Sequence, residues 1–126
     1  MKPTFTRSFE ASAAIAGCRI VVFSDTAASS KVAQAAAATT PAIGVSDAMG
    51  APSGGLCDVH LGGEVPLQLG GTVTAGAPLM ADANACGIAA TAAASTTRRV
   101  IGFALEPGVA GDIIKVWLAQ GLLDRA

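Results

Sequence analysis

Val22-Phe-Ser-Asp25 is answered 57 positions on by Leu79-Met-Ala-Asp82, and Ala35-Ala-Ala-Ala-Thr-Thr40 by Ala92-Ala-Ala-Ser-Thr-Thr97. Ile43-Gly44 recurs as Ile101-Gly102 after one extra residue in the Arg98-Arg99 segment, and Gly54, Val59 and Leu61 return as Gly111, Val116 and Leu118. Alanine matches mean little in so alanine-rich a chain, so the Asp, Thr-Thr, Ile-Gly and Val-x-Leu matches carry the reading. We expect a degenerate internal repeat, about 17–63 and 74–120, whose two units are rich in short strands. Such repeats suit a scaffold better than a catalyst.

Working outward, the strand candidates are Arg19–Phe23, Ala42–Val45, Cys57–Leu61, Val65–Leu69, Pro78–Ala81, Val100–Leu105 and Ile113–Leu118. Each is short, and several alternate apolar and polar residues, as in Val65-Pro-Leu67-Gln-Leu69. Gly50-Ala-Pro-Ser-Gly-Gly55, Gly62-Gly63, Gly70-Gly71 and Pro107-Gly108 read as turns. The expected fold is mainly β: a small barrel or sandwich of short strands, β-tulip-like, from two related halves with little helix. Ser29 to Ala38 has helix-forming composition, but Pro41 and the interrupted copy Ala89 to Ser95 favour extended or irregular links over a short helix. Residues 1–16 are expected to form an extended N-terminal arm, with 17–126 a single domain. Phe5 and Phe9, four apart on that arm, would clamp a partner, add a strand to a neighbour or pack on the chain's own core.

At 126 residues the chain suffices for one domain with a modest core. Only 13% of residues are charged, about half the usual quarter, and the formal net charge is −1. An isolated monomer would therefore show much apolar surface, which favours an oligomer or a partner. Eight scattered Lys and Arg make no basic stripe, so no nucleic-acid partner is expected. No apolar run approaches the roughly 20 residues of a membrane span. Ile15-Ala16-Gly17-Cys18 matches a bacterial lipidation box, but Arg7, Ser8, Glu10 and Ser12 occupy the stretch where a signal needs an apolar run. Cys18, Cys57 and Cys86 form no C-x-x-C pair and read as buried reduced thiols.

Catalytic chemistry finds little to build on. His60 is the single histidine and aligns with Trp117 in the repeat, which marks a structural position facing solvent or a subunit interface. Asp25 and Asp82 sit at matching strand ends, as Asp does when it caps a turn. No calcium loop, paired-carboxylate spacing or phosphate-binding glycine loop is present, so no metal or cofactor is expected. Arg98-Arg99 could meet an acidic partner or lie in a solvated loop. Trp117, the largest apolar side chain, is a core residue or an interface anchor.

Ala75-Gly-Ala-Pro-Leu-Met-Ala-Asp82, then Gly87-Ile-Ala89, Arg99-Val-Ile-Gly-Phe-Ala-Leu-Glu106 and Ala110-Gly-Asp-Ile-Ile-Lys-Val116 together resemble a family pattern. It is that of the capsid decoration, or cement, proteins of tailed bacteriophages. The resemblance is good over roughly residues 74–118 and looser before. It implies a non-enzymatic virion protein, bound to the outer surface of an icosahedral head and cementing neighbouring capsomers against internal DNA pressure. It further implies the major capsid protein and a homotrimer of the chain itself as partners, and synthesis in the bacterial host cytoplasm. Candidate interface residues are Pro3, Phe5, Phe9, His60, Arg98, Arg99 and Trp117. The rivals are a head-fibre base or tail subunit and, from another class, a small β-barrel ligand-binding module or enzyme.

Overall fold

Strand alternation accounts for nearly all the structure of this chain. The computed structural model describes residues 4–24, 31–37, 42–91 and 96–125. Among these there are nine strands and no helix: β1 (Thr4–Ala11), β2 (Ile20–Phe23), β3 (Lys31–Gln34), β4 (Ala42–Ser46), β5 (Leu56–Gln68), β6 (Pro78–Ala81), β7 (Gly87–Ala89), β8 (Thr96–Ala104) and β9 (Ile113–Arg125).

All nine belong to one sheet in the order β1-β3-β2-β4-β5-β9-β8-β6-β7, and β1 also pairs with β5. That extra pairing closes β1, β3, β2, β4 and the first half of β5 into a five-stranded barrel. Closure removes the open edges that a small sheet would otherwise present. Its interior holds Phe9, Ala11, Ile15, Val21, Val32, Ala51, Cys57 and Val59. The second half of β5 leaves this barrel and pairs antiparallel with β9, from Gly63↔Leu118 to Gln68↔Ile113. Gly62-Gly63, expected as a turn, is thus the crossing point of one continuous strand. Gly63 has φ of 90°, a backbone state a side chain resists, and it lets the strand change direction without ending.

The strand pairings recur along the chain. Val21 faces Gly44 and, 58 residues on, Leu79 faces Gly102. Val45 faces His60, as Phe103 faces Trp117. The correspondence extends to β1. Arg7 faces Val59 and Phe9 faces Cys57, as Val65 faces Val116 and Leu67 faces Ile114. The bridge Ile15↔Ala51 has its counterpart in Val73↔Gly108, and the parallel β1–β3 pair Ala11↔Val32 in the parallel bridge Leu69↔Gly87. Gly44 and Gly102 share one steric reason: a methyl at either would collide with the backbone carbonyl of His60 or of Trp117.

These pairings correct the expectation of an arm. From Thr4 to Ala11 the segment is a wall strand hydrogen-bonded to β5, with its place in the barrel matched by residues 62–69 in the second half. Phe9 is 5% exposed and packs edge to face on Phe23, with ring centroids 5.6 Å apart. The Arg7 guanidinium lies 5.0 Å over the Phe9 ring. The spacing of two aromatics reads as a clamp because Arg7 interrupts the apolar face. In the structure Arg7 covers an aromatic at the barrel end instead. In the alanine-rich stretch, Lys31–Gln34 is a strand with Val32 fully buried, an outcome that local helix propensity does not anticipate. Asp25 lies outside the described residues.

Polar groups tie the two halves at their junction. The Arg19 guanidinium donates to the Asn84 carbonyl at 2.9 Å and to Gln68 Oε1 at 3.3 Å, while Gln68 N–H donates to the Cys18 carbonyl at 2.9 Å. Asp82 Oδ1 accepts from the backbone N–H of Asn84 and Cys86, the turn-capping use its position at a strand end suggests.

Candidate functional site

The outer faces of the two halves share one register and differ in chemistry. On the first half, β1 and β5 present three outward pairs: Thr6 opposite His60, Ser8 opposite Asp58 and Glu10 opposite Leu56. Their neighbours on each strand, Cys57, Val59 and Phe9, point inward and are buried. The Thr6 hydroxyl is hydrogen-bonded to His60 Nδ1 at 3.0 Å, Ser8 donates to Asp58 Oδ1 at 2.5 Å, and Lys31 reaches Glu10 at 3.5 Å. Leu56 is the apolar member of this otherwise polar strip.

On the second half the corresponding pairs are Glu64 opposite Trp117, Pro66 opposite Lys115 and Gln68 opposite Ile113. Trp117 is 54% exposed and Ile113 56% exposed. Phe103, across from Trp117 on β8, sets its ring centroid 6.0 Å from the indole in a tilted arrangement. Leu105 and Val109, in the segment leading to β9, are about half exposed as well, at 49% and 53%. Lys115 pairs with Glu64 at 3.8 Å across the strip, so the charges within it are largely matched. The result is an aromatic and aliphatic surface, carried on a rigid sheet, with polar side chains interleaved. Phe103 is half-buried beside Trp117, which leaves Trp117 and Ile113 as the exposed large apolar side chains of this strip.

The sequence candidates are distributed as follows. Trp117 stands in the end pair of the second strip nearest the crossing glycines and His60 at the equivalent place on the first. Arg98 and Arg99 lie on β8 opposite Leu123 and Leu122, Arg98 half-buried and Arg99 exposed. Phe9 is withdrawn into the first barrel. Phe5 is part of β1, but its side chain, like the whole of Pro3, lies outside what is described. The residues absent from the candidates are Ile113, Lys115, Leu105 and Val109. A signal existed for Ile113: in Ile113-Ile-Lys-Val-Trp117 apolar residues occupy both parities of the strand, and one parity must face outward.

Reactive chemistry is not concentrated anywhere on this surface. All three cysteines are buried free thiols. Burial, reinforced by the Asp47 and Asp58 carboxylates, pushes the Cys57 thiol up to about 11, and burial raises Cys18 and Cys86 also. Raised thiols are poor nucleophiles and poor metal ligands. Among the described residues no group of three His, Cys, Asp or Glu side chains is placed to hold a metal ion.

Comparison with known proteins gives one family and one solved structure to report. A family model described as phage cement protein matches residues 2–118, so the chain belongs to that family. The crystal structure of the head fiber gp8.5 N base of bacteriophage phi29 is similar in fold, with a TM-score of 0.68 at 17% identity, covering 93% of this chain and 95% of that one. No curated protein matches the chain.

Proposed function

We propose that this member of the phage cement family binds the outer surface of an assembled head and does so through the strip of Trp117, Ile113, Leu105 and Val109. The protein is a structural component of the virion, as its family match over residues 2–118 supports. One observation carries the choice of surface. The first half builds the same wall, in the same register, with Thr6, Ser8, Asp58 and His60 at the outward positions. The fold therefore places no apolar requirement at Trp117, whose counterpart is His60, and its exposure supports a partner there, whereas Ile113 repeats an exposed apolar residue of the first half, Leu56.

In this reading the chain is one domain of two related halves, without enzymatic activity, that acts as a homotrimer. It links neighbouring major capsid subunits and is made in the host cytoplasm before it joins the shell. Each contact is modest, and repetition over the copies on a shell supplies durable attachment. The matched Glu64 and Lys115 charges fit a contact that tolerates salt, since net attraction between whole surfaces is not what holds it.

The test mixes purified protein with heads lacking decoration, pellets the heads and measures bound protein together with resistance to heat. The expected result is saturable binding and raised resistance, with both lost in Trp117→Ala and kept in His60→Ala. Binding unaffected by Trp117→Ala would reject the surface. Absence of binding to any head would reject the cement role and turn attention to the base of a head fibre, a reading that the fold of the phi29 protein also accommodates.

A further inference from the structure

The two halves meet through surfaces that each half possesses, and only one of each is used within the chain. On the outside of the first half, Ile20 and Val45 are cross-strand partners, with Val22 beside them. These residues are 0–7% exposed, and with Ala35 they join the same packed cluster as the interior of the second half. They do not belong to the interior of their own barrel, which forms a separate cluster. The first half thus lays an outer face on the second.

The receiving surface is also identifiable. Val65, Ala81, Ile101 and Leu118, in the interior of the second half, are all buried within that shared cluster. By the recurrence of strand pairings their counterparts in the first half are Arg7, Phe23, Ile43 and Leu61. Phe23, Ile43 and Leu61 are only partly buried against the first barrel's core. Gln120 Nε2 donates to the Ile43 carbonyl at 2.8 Å, which puts the second half's last strand beside this mouth.

The counterpart of the donating face lies on β6, β7 and β8. Pro78 and Phe103 are partners there, as Ile20 and Val45 are, and Met80 faces Ile88 where Val22 faces Ala33. All four are apolar. Among the described residues they belong to neither packed cluster; Pro78, Ile88 and Phe103 are half-buried, and Met80 is buried at 9% exposure at the margin of the face. Among the described residues, the face on β6, β7 and β8 and the mouth of Phe23, Ile43 and Leu61, which Arg7 flanks, are both left without the partner that their counterparts have within the chain.

We propose that copies of the chain associate head to tail, the face of Pro78, Met80, Ile88 and Phe103 of one copy seating on the mouth of Phe23, Ile43 and Leu61 of the next. The intermolecular contact repeats the one that already joins the two halves. It is heterologous, because donor and acceptor are different surfaces, so copies form a closed ring where the rotation closes and a growing chain where it does not. It specifies the self-association in the proposed function, although it is a property of the purified protein without any head.

The test uses complementation. Ile88→Asp spoils the donating face and Leu61→Asp the mouth, each at a partly exposed position. Sedimentation velocity should give wild type as a multimer and each variant as a monomer, with affinity weakened by about a hundredfold, the scale of a central interface residue. Mixing the two variants should produce a one-to-one dimer that grows no further, since one sound face meets one sound mouth. A monomeric wild type, multimeric single variants or a mixture that stays monomeric would overturn the proposal. Thermal unfolding of each variant verifies its fold, and Pro78→Asp with Ile43→Asp provides a second pair under the same criteria. Failure here with sound head binding would leave the cement role intact, and loss of head binding with sound complementation would leave this contact intact.

Discussion

The first half turns outward a strip with one apolar member, Leu56, and the second a strip with three, Pro66, Ile113 and Trp117, although equivalent cross-strand pairs carry both. Thr6–His60 and Ser8–Asp58 hold each other by hydrogen bonds on one half. In the same places the other half has Glu64–Trp117 and Pro66–Lys115, with Phe103 stacked against the indole. Inward positions are apolar in both, Phe9 and Cys57 answering to Leu67 and Ile114, because burial demands it. Outward positions carry no such demand. The contrast is sharpest at one place, where His60 on the first half answers to Trp117 on the second.

The most severe way to break the comparison is to attack what the halves share. Phe9→Ala removes a buried ring and should cost about 4 kcal/mol of stability, as should its counterpart Leu67→Ala within about 2 kcal/mol, both measured by urea unfolding. Deleting residues 1–9 removes a wall strand, so it should unfold the first barrel rather than merely weaken attachment. Native amide exchange that stayed unchanged in β2 and β4 after that deletion would show that β1 is dispensable.

Gly44→Ala and Gly102→Ala follow in size. Each pushes a methyl into a backbone carbonyl, and each should cost about 2–3 kcal/mol, with similar losses in melting temperature. A large effect at one and none at the other would mean that the two pairings are not equivalent in solution.

The outer strips should then respond unequally. Trp117→Ala is expected to weaken head binding by about 2 kcal/mol, roughly thirtyfold, with little change in unfolding. His60→Ala should alter binding by less than about twofold, the behaviour of a side chain outside the contact. Equal losses from the two would erase the distinction drawn between the halves.

The smallest effect is one of pH. Burial raises the Cys57 thiol from its ordinary value of 9.0 to about 11 in the folded protein. Its protonated form is thus favoured by folding, and the associated stability is fully present below the unfolded value and is lost as pH rises through the folded one. Stability should fall between about pH 9 and 11, and Cys57→Ser should flatten that decline. A decline of the same slope in the variant would assign it to other groups.

Local pattern was sufficient for most strands. The alternation in Val65-Pro-Leu67-Gln-Leu69 and the apolar runs at Ile20–Phe23 and Pro78–Ala81 place β5, β2 and β6 correctly, because one face of each must be buried. β1 was not legible: its inward positions include Arg7, which covers the Phe9 ring at the barrel end and breaks the apolar alternation. β3 and β7 were missed because Lys31–Gln34 and Gly87–Ala89 are short and each carries one large apolar residue. Gly62-Gly63 misled in the other direction, since glycine marks a crossing between barrels as readily as a turn. Trp117 was legible as prominent, but core and interface were equal readings until Phe103 and the exposure of Ile113 were seen beside it.

By itself the sequence determined the class of the fold, most strand positions and the scarcity of charged, aromatic and histidine side chains. These are consequences of composition and of a period of two, which act over a few residues. The tertiary structure alone decided that residues 4–11 close a barrel against a strand some fifty positions away. It decided also which outer face of the first half is covered by the second. Those outcomes depend on pairing between distant strands, and a pattern that separates inside from outside does not say what lies beyond the outside.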